Sequence, residues 1–90
     1  MDLVYSKIAE SDFDFIKKSG NIAIKKRLDR ILEELEMHPK IGTGRPEQLK
    51  HKYSGFWSRE LTQKDRIVYK IDEDNSIVTL CQLLGHYFDK

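Results

Sequence analysis

Residues 56–84 read FWSRELTQKDRIVYKIDEDNSIVTLCQLL, and the fold turns on this stretch. Within it FWSREL (56–61), RIVYKI (66–71) and SIVTLCQLL (76–84) carry apolar residues with a period of two, the mark of half-buried strands. The polar breaks TQKD and DEDN are short enough to act as hairpin turns, so three strands follow one another in an antiparallel meander. Alternation then assigns side chains to faces. If Ile67, Tyr69 and Ile71 point to a core, Arg66 and Lys70 project from the opposite face. On the preceding strand, core-facing Trp57 and Leu61 leave Phe56, Ser58 and Glu60 on the open face, while the opposite parity would open Arg59 instead.

Upstream the period changes. Leu3, Val4 and Tyr5 suit a short first strand, and Ser6 can cap a helix in which Ala9, Phe13 and Ile16 recur at i, i+4 and i+7. Gly20 and Asn21 end that helix. A second one places Ile24, Leu28, Ile31, Leu32 and Leu35 on one stripe, with the cations of 25–27 and Arg30 opposite, and Pro39 closes it. Residues 41–48 (IGTGRPEQ) hold two glycines and a proline and read as a loop that carries Arg45 and Glu47. The order β-α-α-β-β-β predicts an α+β layer in which a helix hairpin covers one face of a largely antiparallel sheet and leaves the other open.

Ninety residues accommodate one domain, spanning 1–90, whose core is a single thin layer. The longest apolar runs fall far short of the roughly 20 residues of a membrane helix, so no membrane role is expected. One cysteine cannot make an internal disulfide, and MDLVYSKIAESDF lacks an apolar signal core, which together predict a cytoplasmic chain.

The net charge of +1 conceals an uneven distribution. Residues 1–40 balance eight basic against eight acidic side chains, residues 41–71 hold seven against three, and residues 72–90 sum to −3. The centre is therefore basic, although a basic stretch of this size also suits an ordinary solvated face.

Few residues offer chemistry. His38, His51, His86 and Cys81 lack the close pairing of a zinc site, and Asp72, Glu73 and Asp74 suit a hairpin turn, so neither metal nor cofactor is expected. Cys81 suits core packing better than nucleophilic attack. A metal-free acid/base site fits better, with Glu47 from the loop, the cations of the open face, and His86 and Tyr87 beyond the last strand. Cleaving RNA this way requires a base for the 2′-hydroxyl proton, cations for the phosphorane charge and an acid for the departing 5′-oxygen. DNA has no 2′-hydroxyl and would be spared. Taken singly, Glu47 also suits a surface loop acid and His86 a tail residue.

Residues 42–71, GTGRPEQLKHKYSGFWSRELTQKDRIVYKI, closely resemble the signature of the YoeB/Txe group of the RelE/ParE toxin superfamily. The shared pattern is Gly-x-Gly-basic-Pro-Glu-x-Leu-Lys-His, then Ser-Gly-Phe-Trp-Ser-Arg, then Arg-aliphatic-Val-Tyr. The resemblance implies the same β-α-α-β-β-β fold and the toxin of a type II toxin–antitoxin system: an mRNA interferase, an endoribonuclease that cuts mRNA on the ribosome and inhibits translation. Its implied partners are the ribosome, mRNA and an antitoxin with an acidic, partly disordered C-terminal segment. A second copy of the chain is a further candidate, because YoeB-like toxins resemble dimer formers.

Residue by residue, the resemblance implies Glu47 as general base, Arg66 as the phosphate-holding cation, His86 as general acid, and Tyr87 as the group that orients the phosphate or stacks on a base. Lys50, Arg59 and Arg45 are the implied contacts to the RNA backbone. His51 and Trp57 match the pattern as structural residues. The chain departs from the pattern at Arg59-Glu60, where two basic residues are common, and in the longer segment Gln82–Gly85 ahead of His86. Gly85 could supply the bend that returns His86 to the site. The alternative is a non-catalytic toxin or regulator of the same fold that binds a protein target or the ribosome.

Overall fold

The computed structural model describes residues 1–85, so His86 and Tyr87 lie outside the described residues. Strand β1 (Asp2–Tyr5) leads into helices α1 (Lys7–Ser19) and α2 (Ile22–Met37). Strands β2 (Glu47–Gln48), β3 (Phe56–Glu60), β4 (Arg66–Asp72) and β5 (Ile77–Gln82) follow, with a 3-10 turn at His51–Tyr53 between β2 and β3. The sheet order is β1-β5-β4-β3-β2. β1 runs parallel to β5 and every other pairing is antiparallel, so the sheet is mixed. The α+β layer expected from the sequence is the observed one, with one strand more: the 41–48 loop contributes the two-residue edge strand β2.

Local chemistry explains the helix boundaries. Ser6 Oγ accepts the Ala9 N–H at 3.0 Å as an N-cap, and the same hydroxyl donates to the Cys81 carbonyl at 2.8 Å, tying the start of α1 to β5. Gly20 ends α1 at φ 76°, a left-handed position that a Cβ would strain. One residue on, Asn21 Oδ1 caps α2 through the Ile24 N–H at 3.1 Å. The two helices lay Ala9, Ile16, Leu28, Ile31, Leu32 and Leu35 against Leu61, Ile67, Tyr69, Val78, Leu80 and Leu83 of the sheet side.

The parity that leaves Phe56, Ser58 and Glu60 open is the one adopted. Trp57 packs on the helix-side core and Leu61 is buried within it. Glu60 stands opposite Arg66, Ser58 opposite Val68, and Phe56 opposite Lys70. Ser58 and Val68 are nonetheless fully buried, so the middle of this face is not the bare surface that a single covered layer implies. A register shift lies where β4 pairs with β5: Val68 opposes Gln82 while Tyr69 opposes Leu80, leaving Cys81 as an extra residue. The bulge lets Leu80 and Leu83 both enter the core.

Ser6→Ala should lower stability by about 1–2 kcal/mol through loss of the cap and of the bond to β5. Ser6→Asp, which caps but has no hydroxyl to donate to Cys81, should recover roughly half of that loss. Urea unfolding measures both, and an unchanged midpoint for Ser6→Ala would contradict the assignment.

Candidate functional site

The 38–46 segment is held from beneath by one side chain. Arg59 is 0% exposed and uses all five of its N–H donors. Nε donates to the Tyr69 hydroxyl at 3.3 Å, Nη1 to Glu34 Oε1 at 2.6 Å and the Thr43 carbonyl at 3.2 Å, and Nη2 to the carbonyls of His38 and Ile41 at 3.1 and 2.8 Å. Glu34, from α2, answers from the other side: Oε1 accepts the Thr43 N–H and Oε2 the Thr43 hydroxyl, both at 2.8 Å. Burial alone would raise the Glu34 pKa, but the bonds from Thr43 and the Arg59 guanidinium outweigh it and hold the carboxyl at about 2.

The expectation that Arg59 contacts RNA phosphate is therefore corrected. Its strand parity turns it into the interior, where a carboxylate and three backbone carbonyls consume its charge and donors.

The Gly-x-Gly pair belongs to the same lock. A Cβ on Gly42 would strike the Glu34 carboxylate and stand 3.2 Å from Arg59 Nη1. On Gly44 it would lie 2.7 Å from the Glu60 carbonyl, in a chain at φ +85° whose own carbonyl accepts the Glu60 N–H at 2.8 Å. Two glycines thus let the loop close over a buried ion pair and lie directly against β3.

Beyond this lock the candidate site side chains emerge. Glu47 pairs with Ser58 at the sheet edge, and Arg66, opposite Glu60, directs Nη1 to 3.8 Å from Glu47 Oε1 and 3.5 Å from Ser58 Oγ. Gly44, Arg45, Pro46, Glu47, Glu60 and Arg66 line a cleft of about 380 Å³. Glu47 also borders a second cleft of about 550 Å³, whose far wall includes Lys50, His51, Lys52 and Tyr53. Sequence-expected Glu47, Arg66 and Arg45 are thus brought together, Lys50 stands exposed on the adjoining wall, and Arg59 is removed from the set. Glu47 is 61% exposed and Arg66 31%, so their contact adds little stability, of order 0–1 kcal/mol. Both groups are available to a ligand.

Glu60, the acid at an expected cation position, has its carboxylate 4.0 Å from Arg45 Nη2 and its carbonyl bonded by Arg27 Nη2 at 3.0 Å. Arg27 Nε is buried without a partner among the described residues. Cys81 is half-buried and burial pushes its thiol pKa up, which keeps it protonated and unreactive, Lys70 offsetting only part of the effect.

The residues leading to the tail are fixed beside Arg66. The Arg66 N–H donates to the Gly85 carbonyl at 2.7 Å, and the Gly85 N–H donates to Asp65 Oδ1 at 2.8 Å. Gln82 Nε2 donates to the Leu84 carbonyl at 2.9 Å, while Asp12 Oδ2 on α1 accepts the Leu83 and Leu84 N–H groups at 2.9 and 3.2 Å. The described chain therefore ends against the Arg66 backbone.

Sequence reasoning missed Glu34, Arg27, Asp65, Gln82 and Asp12. Glu34 lies seven residues after Arg27 and shares its helix flank, and Arg27, expected opposite the buried stripe, borders it instead, with Nε buried and Nη2 on the Glu60 carbonyl.

A helix pair over a five-stranded mixed sheet is a layer that solved toxin structures share. A YoeB/ParE toxin from Agrobacterium tumefaciens superposes with a TM-score of 0.88 at 26% identity, covering 97% of this chain and all of the other. The YoeB of a heterotetrameric YoeB-YefM toxin-antitoxin complex from Staphylococcus aureus superposes at 0.82 with 23% identity, over 97% of this chain and 98% of that one, and a YoeB dimer from the same organism has also been solved. In sequence, the toxin YoeB of Escherichia coli is 33% identical over 97% of this chain and 100% of its own length. Residues 5–87 match the family of YoeB-like toxins of bacterial type II toxin-antitoxin systems, and the chain belongs to that family.

The Arg59–Glu34 pair has a pH signature. The folded pKa of Glu34, about 2, lies below its ordinary 4.5, so the stability it confers is complete above about 4.5 and is lost as pH falls through about 2. Glu34→Gln should flatten the stability–pH curve in that window, as followed by urea unfolding at stepped pH. Arg59→Ala, which strands the carboxylate, should cost about 3–5 kcal/mol at neutral pH.

Proposed function

We propose that this toxin is a ribosome-dependent endoribonuclease that cuts translated mRNA by metal-free general acid/base chemistry. The observation that carries the proposal is the meeting of Glu47 with Arg66 in the edge cleft, 3.8 Å apart, on a chain whose last described residue is bonded to the Arg66 backbone. An exposed carboxylate beside a guanidinium is a base with a phosphate holder at its side.

In the proposed reaction Glu47 takes the 2′-hydroxyl proton and the 2′-oxygen attacks the adjacent phosphorus. The bond to the 5′-oxygen breaks, and His86 supplies the proton that the 5′-oxygen needs. A 2′,3′-cyclic phosphate and a 5′-hydroxyl end remain. Arg66 opposes the charge that grows on the phosphorane oxygens, and Arg45 adds a second cation at the cleft mouth. Tyr87 orients the scissile phosphate or stacks on a base, a contact of order 1–3 kcal/mol. Lys50, on the wall of the adjoining cleft, meets the backbone of the neighbouring nucleotide.

The antitoxin is the proposed inhibitor. Its acidic, partly disordered segment would compete with RNA for the same cations, and the S. aureus relative solved together with YefM supports a proteinaceous partner. A second copy is a further proposed partner, supported by the dimer of that relative. The cytoplasm, where ribosomes are, is the proposed location; among the described residues no helix is long and apolar enough to cross a membrane.

Glu47→Gln, Arg66→Ala and His86→Gln should each abolish growth arrest and mRNA cleavage on programmed ribosomes, mapped by primer extension. Each should fold as the wild type does by circular dichroism. Loss of one proton-transfer group should slow the cut by about 10²–10⁴-fold. Full toxicity in all three would refute the mechanism. Ribosome binding by the wild type with no cut product would replace it with the non-catalytic reading.

A further inference from the structure

Strand β2 is two residues long, shorter than a strand that can hold itself at a sheet edge, yet it presents the exposed Glu47 to Arg66. Something outside β2 must fix it. On its C-terminal side Leu49 is buried and its N–H donates to the Phe56 carbonyl at 2.9 Å. On its N-terminal side the hold is larger. Thr43, four residues before Glu47, is gripped through its N–H and its hydroxyl by Glu34 and through its carbonyl by Arg59. Two more carbonyls of the approach, His38 and Ile41, end on the same guanidinium.

We propose that Arg59, acting through Glu34 and Thr43, is the positioning residue for Glu47: the buried pair is a clamp that sets where the carboxylate stands relative to Arg66. This rests on the reading of Glu47 as the general base. A planar fork of five donors can serve one carboxylate, one hydroxyl and three carbonyls at once, whereas an ammonium has three donors on a mobile stem. Charge alone is therefore not sufficient at position 59. The clamp touches no substrate, so its contribution is to geometry, and misplacing a catalytic group by about 1 Å can cost of order 10²-fold in rate.

The test uses the full chain, folded by circular dichroism, on programmed ribosomes at saturating concentration. Arg59→Lys should slow single-turnover cleavage by about 100-fold, with the half-saturating ribosome concentration changed by less than about twofold. Amide exchange at Glu47 and Gln48 should accelerate in the same variant. Thr43→Val, which removes only the hydroxyl contact, should fall between Arg59→Lys and wild type, and it carries the test if Arg59→Lys does not fold. Val78→Ala, a cavity in the core at the far side of the sheet, should lower the melting temperature without changing the saturating rate. A folded Arg59→Lys that cuts at the wild-type rate overturns the proposal, as does a Val78→Ala that loses rate as Thr43→Val does. If the wild type cuts nothing, the nuclease reading fails by itself. The clamp is then judged by amide exchange alone, and equal exchange at Glu47 and Gln48 in wild type and Arg59→Lys, or in Thr43→Val where Arg59→Lys does not fold, overturns it.

Discussion

A guanidinium with no exposed surface survives in a protein interior only when each donor has an acceptor and a counter-charge stands against it, because an unpaired buried charge carries a desolvation penalty of several kcal/mol. Arg59 meets both conditions, and meeting them dictates much of the surrounding chain. Glu34 has to face β3 from the flank of α2. The Tyr69 hydroxyl has to reach Arg59 Nε while donating its own proton to the Pro39 carbonyl at 2.7 Å. The segment after α2 has to turn three carbonyls inward, so it cannot wander as a surface loop. A chain of this length has a core too thin to hold the 38–46 segment by apolar contact, and directional bonds do so instead.

Alternation makes one strand serve both purposes. Arg59 points into the lock and Glu60, its neighbour, points to the cleft opposite Arg66. The backbone of Glu60 is itself fixed, its N–H by the Gly44 carbonyl and its carbonyl by Arg27. The same few residues of β3 therefore set the loop on one side and the cleft on the other. That is the physical content of the Gly-x-Gly-basic-Pro-Glu pattern: the glycines admit the close approach, Pro46 stiffens the exit, and Glu47 is delivered to the edge at a fixed distance from the lock.

The sheet and helix pair were legible because their signals are periodic: alternation in FWSREL and RIVYKI, and the 3.6-residue stripe of Leu28, Ile31 and Leu35. Glu47 and Arg66 were legible through the pattern around them and through the parity of RIVYKI. Three features were not. β2 is too short to show a period, so it read as loop. The bulge at Cys81 depends on which residue of β4 each residue of β5 faces, and no local signal in IVTLCQLL records that. Arg59 is assigned to RNA through the family resemblance, and charged side chains are buried only when paired. Its partner lies 25 residues earlier on a helix, and the preferred parity of β3 already turned Arg59 inward.

The basic centre has a different meaning once the pairs are assigned. Arg59 is neutralised internally by Glu34, Arg66 stands 3.8 Å from Glu47, and Arg45 lies 4.0 Å from Glu60. Each of these three arginines thus has a carboxylate within 4.0 Å, the guanidinium being buried for Arg59 and solvent-exposed for Arg45. The cations of the centre that remain are lysines. Lys50 and Lys52 line the larger cleft, and Lys52 and Lys70 lie over the rings of Tyr53 and Phe56 at 5.5 and 5.2 Å. Lysines on flexible stems suit a polyanion met along its length, with an affinity that falls as salt rises. On the proposed nuclease reading, Arg66 holds one phosphate in register while the lysines attract the strand that carries it, a division that the net charge of +1 could not express.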